Sequence, residues 1–179
     1  MWGMIATWRM ALEGIQKVTP NLEAGGTAGD AIEGAIKEVE DFPYFKSVGY
    51  GGLPNEEMEV ELDAAYLDGS TFDFGAVCAL KQFANPISVA RALSAYKVNN
   101  VLVGEGAAAF AKAHHFEEKD MLTDRAKIHF QNRLKDIERE QLTPYAGHDT
   151  VGMVGLDASG DMVAGTSTSG LFMKKPGRV

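Results

Sequence analysis

Cysteine is almost absent from this sequence of 179 residues, and because Cys78 is the only one, no disulfide can form within the chain. No stretch approaches the roughly 20 consecutive apolar residues of a membrane-spanning helix. The first nine residues lack both the basic start and the long apolar core of a secretory signal. We therefore expect a protein of a reducing compartment, the cytoplasm, rather than a disulfide-stabilised or membrane-spanning one.

Basic residues are also scarce, with 17 Lys and Arg against 25 Asp and Glu and a net charge of −8. Binding to nucleic acids or anionic membranes depends on clustered positive charge, so we expect neither as a partner. Apolar residues make up 45% and charged residues 23% of the chain, which is the composition of a globular protein. We find no internal repeat, and the length predicts a single domain over residues 1–179.

Hydrophobic periodicity predicts a mixture of helices and strands. The clearest helix spans 27–41, with Thr27 as its N-cap, and the clearest hairpin joins 151–156 to 162–168. The other predicted helices are 86–96, 104–114 and 124–140, and the other predicted strands are 58–66, 72–80 and a buried 101–103. Between the first helix and the first strand, the Gly-rich segment 47–55 predicts a shaped loop. This order indicates an α+β protein of layered sheets and helices.

Most candidate reactive groups have a structural interpretation. His114 and His115 are adjacent, so on a helix their side chains diverge by about 100° and do not chelate one ion. Cys78 lies in an apolar run and is typical of a small core residue. The acidic run 56–61 is typical of a solvated strand face. We therefore predict neither a metal site nor a cofactor.

The segment 147–154, Gly-His-Asp-Thr-Val-Gly-Met-Val, is the strongest candidate for chemistry. It places the hydroxyl of Thr150 at the first residue of a strand, after a loop that contains Pro144 and Gly147. A threonine in this position is ordinarily a β-branched strand former. The functional interpretation rests on its combination with Gly-Thr-Ser-Thr-Ser-Gly at 165–170 and Pro-Gly-Arg-Val at 176–179.

These segments resemble glycosylasparaginases, a family of N-terminal-nucleophile hydrolases. The resemblance extends over nearly the whole chain and in the same order through segments 7–9, 47–52, 62–65, 85–91 and 102–107. It implies an αββα sandwich that is incomplete in this chain. It also implies two parts, an alpha-chain-like segment 1–149 and the start of a beta-chain-like segment at 150–179.

The resemblance implies that the protein makes its own nucleophile. Cleavage between Asp149 and Thr150, with His148 and Asp149 serving this event, exposes Thr150 as a new N-terminus. A free α-amino group has a pKa of about 7.7 to 8.0, so it can act as the base for the hydroxyl of its own residue. While the peptide bond is intact, that nitrogen is an amide and is not basic.

The remaining site residues are also implied by the resemblance. Thr168 corresponds to the hydroxyl that orients the nucleophile, Arg178 to the guanidinium that binds the substrate α-carboxylate, and Trp8 and Ser47 to residues lining the pocket. On composition alone Trp8 is equally well a core aromatic. The implied reaction is hydrolysis of the side-chain amide of an N4-substituted L-asparagine, a small-molecule substrate. The nearest alternative is an isoaspartyl peptidase or L-asparaginase.

The family pattern continues after Gly-Arg-Val with residues that complete the site. The resemblance therefore implies a further partner, a carboxyl-terminal half present in cis or as a separate chain, and we also expect a homo-oligomer. A non-catalytic remnant that keeps the pocket as a binding module is the alternative from a different functional class.

Overall fold

The computed structural model describes residues 1–140 and 150–179. The strands in these two segments are β1 (Gly3–Ala6), β2 (Leu62–Asp68), β3 (Phe74–Leu80), β4 (Val101–Val103), β5 (Val151–Leu156) and β6 (Met162–Thr168). The α-helices are α1 (Leu12–Glu23), α2 (Ala28–Asp41), α3 (Pro86–Ser94), α4 (Gly104–Ala113) and α5 (Asp124–Glu140). The protein is α+β, as predicted.

The strands form one sheet in the order β1-β5-β6-β2-β3-β4. All neighbours are antiparallel except β3 and β4, which are parallel and joined through α3. The β5–β6 hairpin has the predicted bounds, and its turn is held by Asp157, whose Oδ1 accepts hydrogen bonds from the backbone N–H groups of Ser159 and Asp161. Asp157 Oδ2 also accepts from Ala28 N. The hairpin is thereby fastened to the first residue of α2.

Helices α2 and α3 cover one face of the sheet. Gly165 is paired with Tyr66, and Tyr66 with Gly75, so all three lie on the same face. A Cβ atom at Gly165 would lie 2.7 Å from the Ile32 side chain of α2, and one at Gly75 would lie 2.1 Å from the backbone oxygen of Ala90 in α3. Glycine at these positions allows both helices to pack closely on the strands.

The opposite face carries an apolar row across five strands. The strand register places Ile5, Val154, Ala164, Leu67 and Phe74 side by side. Ile5 is 72% exposed, and Val154, Leu67 and Phe74 are each between 37% and 38% exposed. In the part of the chain that the structure describes, no layer covers this row. An exposed apolar surface of this kind is typical of a face that packs against another layer.

Helix α2 confirms the prediction for residues 27–41. Thr27 Oγ1 accepts a hydrogen bond from Asp30 N, which is the expected N-cap contact. Helix α1 and strand β1 were not predicted. Within α1, Gly14 and Pro20 both disfavour a helix interior. Gly14 is required by packing, since a Cβ there would lie 2.4 Å from the Ala35 backbone oxygen.

Two strand predictions were wrong in detail. Residues 58–61 are not part of β2, because Asn55 Oδ1 accepts from the N–H groups of Glu57 and Glu59 and Met58 has a positive φ of 63°. These contacts fold the segment into a loop. Strand β4 was predicted to be buried but forms the edge of the sheet, where Val101 is 47% exposed.

Glu40, at the end of α2, is a fully buried carboxyl group. Its Oε1 accepts from Ile87 N at 3.1 Å, and its Oε2 accepts from Asn85 Nδ2 at 3.3 Å, so it caps the N-terminus of α3. Burial raises the pKa of Glu40 to about 8, although the nearby Ser167 side chain and the hydrogen bonds from Ile87 N and Asn85 act in the opposite direction. The neighbouring carboxylate of Asp41 raises the pKa further.

The raised pKa of Glu40 predicts a pH-dependent stability. The folded protein keeps Glu40 protonated up to about pH 8, whereas the unfolded chain ionises it near its ordinary value of 4.5. The contribution of Glu40 to stability is therefore complete below pH 4.5 and is lost as the pH rises to about 8. In Glu40→Gln this loss is absent, so the variant should melt higher than the wild type at pH 9 by roughly 10 °C or more.

Melting temperatures between pH 5 and pH 9 test this prediction. Glu38→Gln is the matched control on the same helix, because Glu38 pairs with Lys17 at the surface. We expect its melting curve to follow that of the wild type at every pH. Parallel pH profiles for Glu40→Gln and the wild type would show that Glu40 is already ionised in the folded protein.

Candidate active site

Thr150 directly precedes β5, and Thr7 binds the backbone of residues 150 and 152. Thr7 Oγ1 donates to the Thr150 carbonyl oxygen at 2.8 Å and accepts from Gly152 N at 2.9 Å. Thr7 N in turn donates to the Gly152 oxygen at 2.9 Å. Since β5 lies between β1 and β6, Thr150 opens an interior strand, as predicted, and its backbone position is fixed by the end of β1.

The register of the hairpin, extended by one residue, places Thr168 opposite Thr150. The last pair of the hairpin is Val151 with Ser167, and Thr150 and Thr168 are the next residues on the two strands. Thr168 is paired on its other side with Asp63 of β2. Directly opposed residues project on the same side of a sheet, and these three share the side of the exposed apolar row. The sheet thus brings two predicted site residues together and adds Asp63.

The hydroxyl of Thr168 has a defined set of partners. Its Oγ1 donates to the Ser47 carbonyl oxygen at 3.1 Å and accepts from Gly170 N at 2.9 Å. Ser169 N donates to the same Ser47 oxygen at 2.6 Å. A hydroxyl has one hydrogen and two lone pairs, so one lone pair of Thr168 Oγ1 is left to accept a hydrogen bond. This arrangement suits a group that orients a neighbouring hydroxyl or amine.

Trp8 and Arg178, two further predicted site residues, are both exposed. Trp8 follows Thr7, has a positive φ of 63° and is 59% exposed among the described residues. Arg178 is exposed near the end of the chain, and its carbonyl oxygen accepts from Lys174 Nζ at 2.6 Å. Lys174 also contacts Asp63, so the backbone of Arg178 is connected to the strand that pairs with Thr168.

Several sequence predictions concern residues outside this geometry. His148 and Asp149, the other predicted cleavage residues, lie outside the described residues. Cys78 is half-buried on β3, and burial raises the pKa of its thiol, which disfavours the reactive thiolate. Within segments 1–140 and 150–179, no group of three or more His, Cys, Asp and Glu side chains is arranged to hold a metal ion. No helix in these segments is long and apolar enough to cross a membrane.

Sequence reasoning missed Thr7, Asp63 and Lys174 as parts of the site. Thr7 and Asp63 lie in segments 7–9 and 62–65, which contributed only to the overall resemblance. Lys174 is the first of two consecutive lysines, and the sequence alone does not separate it from Lys175. The structure does, because the side chain of Lys174 is 1% exposed and that of Lys175 is 81% exposed.

A six-stranded sheet with helices packed on one face agrees with one half of the αββα sandwich of the N-terminal-nucleophile hydrolases. Comparison with protein families agrees, because the family model described as "Asparaginase" matches residues 6–179. The chain belongs to this asparaginase family. The resemblance and the fold class predicted from the sequence are both confirmed.

Individual relatives fall into more than one activity group. The chain is 36% identical over 176 residues to an N(4)-(beta-N-acetylglucosaminyl)-L-asparaginase from Elizabethkingia miricola, an alignment covering 98% of this chain and 52% of that protein. It is 35% identical to an isoaspartyl peptidase/L-asparaginase from Xenopus laevis, covering 97% of this chain and 57% of that protein. It is 40% identical to a plant-type L-asparaginase from Thermococcus kodakarensis, covering 86% of this chain and 54% of that protein. The chain spans about half the length of these relatives.

Proposed function

We propose that the complete protein containing this chain hydrolyses the side-chain amide of N4-substituted L-asparagine, with glycosylasparagine as the leading substrate and Thr150 as the nucleophile. The observation that carries this proposal is the Thr168 hydroxyl, which faces the Thr150 position in the register and keeps one lone pair free. The relative from Elizabethkingia miricola supports the choice of leading substrate.

The first step of the proposal is cleavage of the chain itself. Thr150 Oγ attacks the carbonyl carbon of Asp149, the C–N bond breaks, and an ester replaces the peptide bond. Water then hydrolyses the ester, which leaves a carboxylate on Asp149 and a free amine on Thr150. The Thr7 contacts hold the Thr150 carbonyl and Gly152 in place during this rearrangement, and His148 serves the same event.

Turnover uses the amine that cleavage produces. The α-amino group of Thr150 takes the proton from its own hydroxyl, which attacks the side-chain amide carbon of the substrate. The amine product leaves with a proton, and an ester between the aspartyl group and Thr150 remains. Water hydrolyses this ester and releases L-aspartate. Thr168 Oγ1 accepts a hydrogen bond from the Thr150 amine or hydroxyl and thereby orients the nucleophile.

Substrate selection is assigned to three residues, Arg178, Trp8 and Ser47. The guanidinium of Arg178 binds the substrate α-carboxylate, for which a planar pair of donors is suited. Trp8 and Ser47 line the pocket. The chemistry proposed here requires no cofactor.

A further carboxyl-terminal half is part of the proposal. The apolar row of Ile5, Val154, Leu67 and Phe74 needs a covering layer, and the relatives are about twice as long as this chain. We propose that the additional half, in cis or as a separate chain, packs on this face as the second sheet of the αββα sandwich. A homo-oligomer and a cytoplasmic location belong to the same proposal.

Release of L-aspartate is the common measurement that tests the proposed substrate. The complete protein is assayed with glycosylasparagine, L-asparagine and a β-aspartyl dipeptide, each of which yields L-aspartate. We expect the highest kcat/KM for glycosylasparagine. Activity confined to the other two substrates would assign the protein as an isoaspartyl peptidase or L-asparaginase. A protein that binds L-aspartate but neither splits nor hydrolyses any of the three would be the non-catalytic binding module.

A further inference from the structure

Lys174 is the centre of a buried ionic cluster. The exposed fraction of its side chain is 1%, and those of Glu61 and Asp63 are 2% and 6%. Its Nζ lies 3.6 Å from Glu61 Oε2 and 3.4 Å from Asp63 Oδ2. Lys81 approaches from the rim of the cluster and lies 3.6 Å from Glu61 Oε1. Two carboxylates and a fully buried ammonium group are therefore enclosed at the start of β2.

The same cluster binds the backbone of the last residues of the chain. Lys174 Nζ donates to the Arg178 carbonyl oxygen at 2.6 Å, and Gly177 N donates to both carboxylate oxygens of Glu61 at 3.0 and 3.1 Å. Asp63 Oδ1 accepts from Ala79 N at 2.7 Å, which anchors the cluster to β3. The exposed residues 177 and 178 are thus attached to the sheet through buried charges.

Stability alone does not account for these charges. Removing ions from water is costly, and well-packed apolar side chains often replace a buried ion pair without loss of stability. The ammonium group of Lys174 instead fixes the relative positions of its partners, because it contacts two carboxylates and one carbonyl oxygen at once. The Lys174 side chain also packs closely against Gly170, because a Cβ at Gly170 would lie 2.9 Å from Lys174 Cδ and 3.0 Å from Lys174 Nζ.

The cluster connects the two ends of the candidate site. Asp63 is the register partner of Thr168, and Gly170, which packs against Lys174, donates its N–H to Thr168 Oγ1. Arg178 lies at the other end, held through its carbonyl oxygen. Lys174 therefore ties the backbone of Arg178 to Asp63 of β2, the strand that pairs with Thr168.

We propose that Lys174 is a positioning residue that fixes the backbone of Arg178, so that the guanidinium meets the substrate α-carboxylate at a set distance from Thr150. This inference rests on the proposed function for the role of Arg178. Lys174 does not act on the substrate directly, because its side chain is buried and its ammonium group is already engaged by Glu61, Asp63 and Arg178. Its effect on the reaction passes through Arg178.

Lys174→Met in the complete protein tests this role, with Lys175→Met as the matched control. Methionine keeps the length and apolar volume of the side chain but removes the ammonium group. Lys175 is the adjacent residue, and its exposed side chain forms an ion pair with Glu56. In Lys174→Met we expect KM for asparagine derivatives to rise at least about tenfold while kcat changes less than about threefold. Lys175→Met should change neither value.

A double variant shows whether the effect passes through Arg178. If it does, Lys174→Met should raise KM no further in a protein that already carries Arg178→Ala. If the fold-increases of the two substitutions instead multiply in the double variant, their free energies add and the residues act independently, which would overturn the proposal.

Amide hydrogen exchange of the complete protein tests the positioning by a measurement that does not depend on activity. In the wild type, the N–H groups of Gly177 and Arg178 are bonded to Glu61 and to the Lys175 carbonyl oxygen. We expect their exchange to accelerate at least about tenfold in Lys174→Met but not in Lys175→Met, with β5 and β6 still protected. If β5 and β6 lose protection in Lys174→Met, Lys174→Gln is measured instead, with the same direction of change expected. A folded Lys174 variant with wild-type exchange at Gly177 and Arg178 overturns the proposal, whereas wild-type protein without amidase activity refutes only the proposed function.

Discussion

Replacing Thr150 with alanine is expected to abolish both the splitting of the complete protein between residues 149 and 150 and its amidohydrolase activity. Alanine has no hydroxyl to attack the preceding carbonyl, so the ester does not form and the α-amino group of residue 150 is never released. Loss of a nucleophile typically lowers kcat by a factor of about 10⁴ or more. Intact mass spectrometry reports the splitting, since the wild type yields a chain of residues 1–149 and a second chain beginning at residue 150.

Two conservative replacements serve as controls for this prediction. Thr150→Cys should retain some splitting, because a thiol also undergoes the acyl shift, and Thr150→Ser keeps the hydroxyl itself. Both should preserve the contacts that Thr7 makes to the backbone of residues 150 and 152. A complete protein that stays in one piece yet hydrolyses asparagine amides would contradict the assignment, because the amide nitrogen of Thr150 could not then act as the base.

Gly75→Ala is expected to have the largest effect on stability. The alanine Cβ would lie 2.1 Å from the Ala90 backbone oxygen and 2.4 Å from Ser94 N, and both are backbone atoms of α3. A backbone contact of this kind is not relieved by a change of rotamer, so α3 must move away from β3. We expect the free energy of unfolding to fall by about 3 kcal/mol or more, measured by urea denaturation followed by circular dichroism.

Gly106→Ala is the matched control for this packing argument. Gly106 lies inside α4, and a Cβ there would have no other heavy atom within 4 Å. Alanine is the better helix former, so this variant should be unchanged or more stable by about 0.5 to 1 kcal/mol. A Gly75→Ala protein as stable as the wild type would show that α3 and β3 are not in close contact.

Prediction from the sequence succeeded where structure depends on neighbouring residues. The bounds of α5, β5 and β6 and the cap of α2 at Thr27 follow from periodicity, turn residues and capping chemistry, which act over a few positions. It failed for α1, because the close approach of Gly14 to Ala35 is a tertiary contact that no local pattern reports. The prediction that β4 is buried was wrong for a related reason, since the composition of this strand does not reveal that it lies at the edge of the sheet.

The sequence by itself determined the α+β class, the family motifs and the choice of Thr150 and Thr168, because those depend on residue type and order along the chain. Only the tertiary structure decided which distant groups meet. The register of the sheet brings Asp63 beside Thr168 and faces Thr168 toward the Thr150 position. Burial then separates Lys174 from the otherwise similar Lys175, because an ammonium group enclosed by two carboxylates is held in one place, whereas one in water is not.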